Sequence, residues 1–383
     1  MTIEQTAPTV ESLLDAVRDL GPTITTRVAE IEAARRLPLD LVESLTEAGI
    51  FRMLLPRSHG GAGLEFPAGM RVLEALSRFD GSVGWTVMIG AGSWCDLAGL
   101  PRTTFDAIYA DGAVITGGAI SPSGTAVAVD GGYHVRGRWA FASGCQHSAW
   151  LFANCLETVD GEPRLRLAVL TADEIEIEDT WKSSGLCGTG SHHFVADVIV
   201  PAQRTYALLQ GEPCIDEPIV RIPPPALHAM GITSVAVGIA QGALDEIQAI
   251  AATKTPLLAA GALAANPLFQ HQLATADTRL RAARALLYQD ASSMWATAAD
   301  RAEFTLDQRA RIRATDAWAT STTAAVVDFC YRAGGGSSVY LDSPLQRRLR
   351  DINAVTQHFL VRPDTLTTAG AILAGQDPNA PIF

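Results

Sequence analysis

The sequence predicts an α+β protein with a β-domain set between an N-terminal α-helical domain and a C-terminal four-helix bundle. Three observations carry this. Apolar residues recur at helical spacing over residues 10–109, at every second position over 114–200, and at helical spacing again after Pro225. The strands come in one block, without the alternation of strand and helix that builds a parallel sheet. With 383 residues, 48% of them hydrophobic, the chain is long enough to bury more than one core. The boundaries that follow are 1–113 for the helical domain, 114–222 for the β-domain and 223–383 for the bundle.

In the first domain the first few residues are expected to fray. Leu39, Val42 and Leu45 then repeat at helical spacing, with Pro38 at a first turn and Gly49 as a C-cap. A second helix is read over 68–79. Between the two, residues 56–63 are rich in glycine but lack the Lys-Ser/Thr ending of a phosphate-binding loop, so they read as a turn. In the β-domain, Asp130-Gly131-Gly132 is a turn between strands at 126–129 and 133–141. Residues 164–170 alternate, and Phe194, Ala196, Val198 and Val200 share a face before Pro201 ends the strand. A proline-rich connection over 203–225 leads to the bundle. There Leu273, Ala276, Leu280, Ala283 and Leu287 form an apolar stripe, with Arg279, Arg281 and Arg284 largely off it. Thr305-Leu306-Asp307-Gln308 has the form of a capping box and opens a long helix that runs to about Tyr331. Two long amphipathic helices with the helices flanking them make the bundle.

A net charge of −12 with 18% charged residues argues against nucleic acid or an anionic membrane as partner, since both need clustered Lys and Arg. The six cysteines show no CxxC or CxxH spacing, so neither a metal site nor a disulfide framework is expected and the thiols are read as reduced. His192 and His193 fall on opposite faces of a strand and cannot share one metal ion. The N-terminus has no basic and apolar leader, and no uncharged run is read as long enough to span a bilayer, so the expected location is cytoplasmic. No Gly-x-Gly-x-x-Gly follows a strand, so the chain is expected to bind no dinucleotide by a fold of its own.

The most informative stretch is residues 137–150. Tyr133, Val135, Trp139, Phe141 and Ser143 share one parity, which in a regular strand puts two large aromatics and a small hydroxyl on one face, where a flat cofactor could lie. This stretch resembles the flavin-contacting segment of the acyl-CoA dehydrogenase superfamily, where an aromatic stacks near the isoalloxazine and a Ser or Thr two residues later reaches the flavin N5 edge. Phe141 and Ser143 occupy those places. Gly185 to Ser191, followed by Asp197 to Pro201, resembles the second signature of the family's β-domain. Leu268-Phe269-Gln270, leading to Ala282-Ala283-Arg284 and Tyr288, resembles the start of its bundle. Gly334-Gly335-Gly336, Pro344 and Arg350-Asp351 resemble the segment between its last helices. The likeness implies that Phe141, Ser143, Ser121, Thr189 and Ser191 bind flavin. It also implies that Phe269, Gln270, Gly335 and Gly336 approach a flavin held by another subunit of a homotetramer.

The likeness is strongest toward the flavin-dependent monooxygenase branch, on the Phe-x-Ser-Gly-x-x-His form of residues 141–147, the Gly-Thr-Gly-Ser run and Gln357-His358. Many dehydrogenases of the family abstract a proton with a Glu just beyond the Arg-Asp pair. That position here is Phe359, which cannot take a proton, and no Glu precedes Gly238 in the helix where other members keep their base. The resemblance therefore implies a monooxygenase that takes reduced FMN or FAD from a separate flavin reductase and uses O2, through a flavin C4a-(hydro)peroxide, on a small aromatic or heteroaromatic molecule. The alternative is an acyl-CoA dehydrogenase or related oxidase with a displaced base. His358 is the expected proton-transfer group or hydrogen-bond partner, titrating near 6.5 unless its site shifts it, and Ser143 is expected to act at N5. Trp85, Gly92, Trp94 and His358 are the candidate substrate contacts, with Trp139 as a further aromatic wall. The sequence departs from the branch in two places. No His follows the Gly81-Ser82-Val83-Gly84-Trp85 segment, and Cys187 stands where an Arg usually precedes the Gly-Thr-Gly-Ser run.

Overall fold

The computed structural model of the chain describes residues 7–110, 112–208, 210–376 and 378. The expected fraying of the first residues falls on positions outside this range. Helices α1 (Val10–Thr26), α2 (Val28–Ala34), α3 (Leu39–Glu47), α4 (Phe66–Phe79), α5 (Gly81–Gly92), α6 (Trp94–Leu97) and α7 (Arg102–Ile108) form the first region. In α3, Val42 and Leu45 of the expected stripe are buried together with Leu41, whereas Leu39, at the first turn, is exposed, and Gly49 takes the left-handed conformation after the helix end, φ 80°. A residue with a Cβ would be strained there.

Strands β1 (Thr116–Val129), β2 (Gly132–Ala142), β3 (Trp150–Val159), β4 (Glu162–Thr171), β5 (Glu176–Glu178), β6 (His192–Pro201) and β7 (Thr205–Ala207) form one mixed sheet in the order β5-β6-β2-β1-β3-β4-β7. The turn at Asp130 and Gly131 joins β1 to β2 in antiparallel register, Val129 opposite Gly132. In β4 the expected alternation gives way to continuous burial over Leu167, Ala168, Val169 and Leu170. Its two faces meet different cores. Ala168 and Leu170 join the β-domain core around Trp139 and Phe194, while Leu167 and Val169 join the helical core. A strand covered on both sides reads as an apolar run.

The bundle comprises α8 (Pro224–Thr253), α9 (Pro267–Ala299), α10 (Leu306–Gly334) and α11 (Pro344–Thr356), followed by α12 (Thr365–Leu373). The stripe on α9 is buried at Ala276, Leu280, Ala283 and Leu287. Thr305 caps α10 by accepting the Gln308 N–H at 3.1 Å, but the reciprocal half of the box is missing, because the Gln308 amide donates to Thr297 instead at 2.7 Å. One reading of the sequence is corrected here. Residues 222–244 carry no Asp, Glu, Lys or Arg, a run of 23 residues long enough to cross a bilayer. The helix that contains it, α8, has 89% of its most apolar window buried inside the protein. It is apolar all round because α4, α10 and α11 pack on it from different sides. A Cβ at Gly238 would stand 2.3 Å from the Glu74 carbonyl oxygen, so glycine is what lets α8 approach α4 this closely.

Candidate active site

The site begins at the end of β2, where the strand does not stay regular. Pairing with β6 slips between Trp139 and Ala142, and Phe141 adopts φ 63°, a conformation an aromatic residue rarely takes. The parity argument fails at this bulge. Trp139 points into the β-domain core, fully buried and stacked on Phe194 with ring centroids 5.1 Å apart, so it is no substrate wall. Phe141 turns the other way and is 68% exposed, its ring meeting the edges of Trp181 and His193 at 6.3 Å. Strain of this kind persists only where the surrounding structure fixes it, and here it displays a flat aromatic beside a hydroxyl.

That hydroxyl, on Ser143, is buried and makes two hydrogen bonds. The Trp85 indole N–H donates to Ser143 Oγ at 3.0 Å, Ser143 and Ser191 hydroxyls lie 2.7 Å apart, and those of Ser191 and Thr189 2.7 Å apart. Thr189 donates in turn to the Leu186 carbonyl at 2.8 Å. Thr189 and Ser191, both expected to face flavin, are thus buried behind Ser143 with their hydroxyls turned to one another. Leu186 is held from three sides: its carbonyl also accepts from the Trp181 indole at 3.0 Å, and its N–H donates to Asp351 Oδ1 at 2.7 Å. Burial raises the Asp351 carboxyl, with nearby Asp80 adding to the effect. Arg350 donates to the Ser184 carbonyl at 2.6 Å and to Glu32 at 2.8 Å, and lies 4.0 Å from Cys187 Sγ. The Arg-Asp pair therefore braces the Gly185–Ser191 loop, with the Cys187 thiol beside the arginine.

Trp85 connects this cluster to His358. It sits on the second turn of α5, whose N-terminus Asp80 caps by accepting the N–H groups of Ser82 and Val83. Its ring meets His358 edge-on at 5.8 Å. Tight turns after α11 place His358, which stacks on Phe359 at 5.0 Å. Burial, with His228 and Arg313 as neighbouring positive groups, pushes His358 down to about 4, well below the 6.5 expected from a free imidazole. Its Nδ1 accepts the Leu360 N–H at 3.3 Å, which puts the ring proton on Nε2. At neutral pH this side chain is a hydrogen-bond donor. His228 lies 3.0 Å from Asp96, which outweighs burial and raises its pKa.

The remaining candidates divide. Gly92 has open space where a Cβ would project, on the same helix as Trp85. Trp94 is packed on Phe105 in the helical core, and its indole N–H has no hydrogen-bond partner among the described residues. Ser121 is exposed on β1 and bonded to Ser123. Phe269 is buried and stacked on Phe329 at 6.2 Å within its own chain, so its ring does not reach outward, whereas Gln270, Gly335 and Gly336 are exposed. His147 is pushed down to about 4 by burial and by Arg36, with both ring nitrogens unpaired among the described residues, and His192 Nδ1 accepts the Thr180 and Trp181 N–H groups at 3.2 Å. Sequence reasoning missed Trp181, just before the Gly185–Ser191 signature, and His228 and Arg313, which lie outside the motifs. A cleft of about 510 Å³ lined by Arg18, Arg71, Glu74, Arg284 and Tyr288 contains none of the site residues. The Phe141 ring is exposed, and the buried Ser143 hydroxyl two residues on is linked through Trp85 to His358.

Residues 8–98 match the N-terminal domain and residues 230–363 the C-terminal domain of acyl-CoA dehydrogenase. The chain is 32% identical to indole-3-acetate monooxygenase of Pseudomonas putida over 97% of its length and 94% of the relative's. It is 30% identical to the flavin-dependent monooxygenase oxygenase subunit HsaA of Mycobacterium tuberculosis, over 92% of this chain and 93% of that one. The crystal structure of that enzyme covers 98% of the chain with a TM-score of 0.90. XiaF from Streptomyces, solved with FADH2 and glycerol, superposes with a TM-score of 0.91 at 26% identity, covering 97% of each chain.

Proposed function

The chain belongs to the acyl-CoA dehydrogenase family, in its flavin-dependent monooxygenase branch, and from that premise we propose that Ser143, Trp85 and His358 form the reaction site of an oxygenase component. The enzyme uses reduced flavin and O2, and as an oxygenase component it depends on a separate flavin reductase. When bound, reduced flavin supplies the activation of oxygen. The protein's own contribution is to orient the flavin, exclude water and place the substrate. Phe141 offers its exposed ring to the flavin plane, Ser143 meets the N5 edge, and Gly92 leaves room for the substrate beside Trp85. His358 presents its Nε2 proton to an oxygen of the substrate or of the oxygenated site, a donor's role rather than a base's.

The observation that carries this reading is the Trp85 side chain, which bonds Ser143 through its indole nitrogen and meets His358 with its ring. Many dehydrogenases of the family keep a carboxylate where Phe359 stands, and here that ring stacks on His358. The substrate is proposed to be a small aromatic or indolic molecule, in keeping with the named substrate of the Pseudomonas relative. The exposed Gln270, Gly335 and Gly336, with Leu257, Leu258, Tyr340 and Leu341 exposed on the same domain, support a homotetramer in which neighbouring subunits complete each flavin site. The test is turnover with separately reduced FMN or FAD under O2 against a panel of aromatic, indolic and phenolic compounds, with products read by mass. Incorporation of one oxygen atom is expected. Reduction of the bound flavin by an acyl-CoA, with no oxygenated product from the panel, overturns the reading.

A further inference from the structure

The four hydrogen bonds running from Trp85 to Leu186 have only one consistent direction. A carbonyl oxygen can only accept, so the single Thr189 hydroxyl proton is committed to Leu186. Ser191, 2.7 Å from Thr189, must then donate to it. With its own proton spent, Ser191 accepts from Ser143 across the next 2.7 Å contact. Ser143 also accepts from the Trp85 indole, which can only donate. Its proton and one lone pair are both occupied, and one lone pair is left.

We infer that Trp85, Ser191 and Thr189 are positioning residues that hold Ser143 as a hydrogen-bond acceptor, so that the site tells reduced flavin from oxidised flavin by the proton on N5. The inference rests on the reading that the N5 edge meets Ser143. Reduced flavin carries N5–H and can donate to the remaining lone pair. Oxidised N5 carries only a lone pair and meets another. Freeing the Ser143 proton for it requires Ser191 to turn its own proton back toward Ser143, which sets two oxygen lone pairs against each other at the Thr189 contact or takes the proton from the Leu186 carbonyl. The chain is buried throughout, at 1% to 7% exposure for all four side chains, so water does not repair the break. Leu186 is a firm end point, since Asp351 and Trp181 hold it independently of the hydroxyls.

The test compares the dissociation constants of reduced and oxidised FMN and FAD, measured anaerobically and aerobically by titration, in the full-length protein. Wild type is expected to favour the reduced form. Ser191→Ala removes the acceptor of the Ser143 proton and frees it to donate, so the preference is expected to fall about tenfold, mostly through tighter binding of oxidised flavin, as one hydrogen bond gained implies. Thr189→Val, which keeps shape and loses the end of the chain, shifts the preference the same way. Ser191→Thr restores the hydroxyl and the wild-type ratio. Trp85→Phe removes a donor without freeing a proton and leaves the sign of the preference unchanged. Equal effects of Ser191→Ala on both forms, with the ratio kept within twofold, overturn the inference, and should that variant not fold, an unchanged ratio in Thr189→Val does the same. Failure of the underlying reading looks different: Ser143→Ala then alters neither affinity.

Discussion

His358 shows how far a residue's chemistry depends on what surrounds it. An imidazole read in isolation is a base titrating near 6.5, but here burial and two positive neighbours push it down to about 4 and a backbone N–H occupies Nδ1. His358→Ala is therefore expected to bind reduced flavin normally while product per oxygen consumed falls ~10²-fold or more, with the balance released as hydrogen peroxide. His358→Gln, whose amide can donate in place of Nε2–H, should recover part of the yield. The wild-type rate should show no ionisation near 6.5 that the Ala variant lacks. Such an ionisation, if measured, would return His358 to the role of a base. The position of this residue was legible in the sequence because it lies beside the place of the family's carboxylate. Its protonation was not, since His228 and Arg313 reach it from α8 and α10 only in the folded chain.

Among the elements, α5 carries the most of the site for its length. Asp80 caps it with two hydrogen bonds, and Arg347 lies 3.8 Å from the same carboxylate. Asp80→Ala should cost about 1–2 kcal/mol for the cap alone, with a further loss as buried Arg347 keeps only the Asp351 side of its charge compensation, visible as a lower denaturation midpoint. Gly92, at the far end of the helix, faces open space, so Gly92→Val should keep the fold and flavin binding while raising KM for the substrate. A mutant with unchanged KM would show that the space is not the substrate's. Helices and hairpin were legible because their apolar periods are regular, as at Leu280 and Leu287 or across the Gly131 turn. The bulge at Phe141 was not. Parity counting assumes an unbroken ladder, and the slip against β6 reverses every side chain after it.

At the scale of the whole molecule, acid stability is set by buried groups that oppose one another. His358 and His147 both titrate near 4 in the fold and 6.5 outside it, so their contribution is complete above 6.5 and is lost as pH falls from 6.5 toward 4. Asp316, fully buried and accepting the Thr233 hydroxyl at 3.0 Å, is raised to about 8 by burial, which outweighs the opposing pull of Arg313. Its contribution runs the other way, present at low pH and lost as pH rises from 3.8 to 8. Asp316→Asn should thus gain stability relative to wild type between pH 6 and pH 9, measured by thermal denaturation across that range; a constant difference would show that the carboxyl is ionised throughout. Sedimentation should find a tetramer, and a stable monomer that still binds flavin would remove the shared site. The order of the three regions was legible from the change of period alone, whereas the double burial of β4 and the central place of α8 follow from packing between regions. One long-range contact has a temporal meaning as well. The loop behind Ser143 is braced by a hydrogen bond between Leu186 and Asp351, 165 positions apart. A nascent chain that has not yet released residue 351 already carries Ser143, Ser191, Thr189 and the Trp181 contact but lacks the second anchor on Leu186. The bracing of this loop is thus completed only when the last helices have been made, long after the residues it holds.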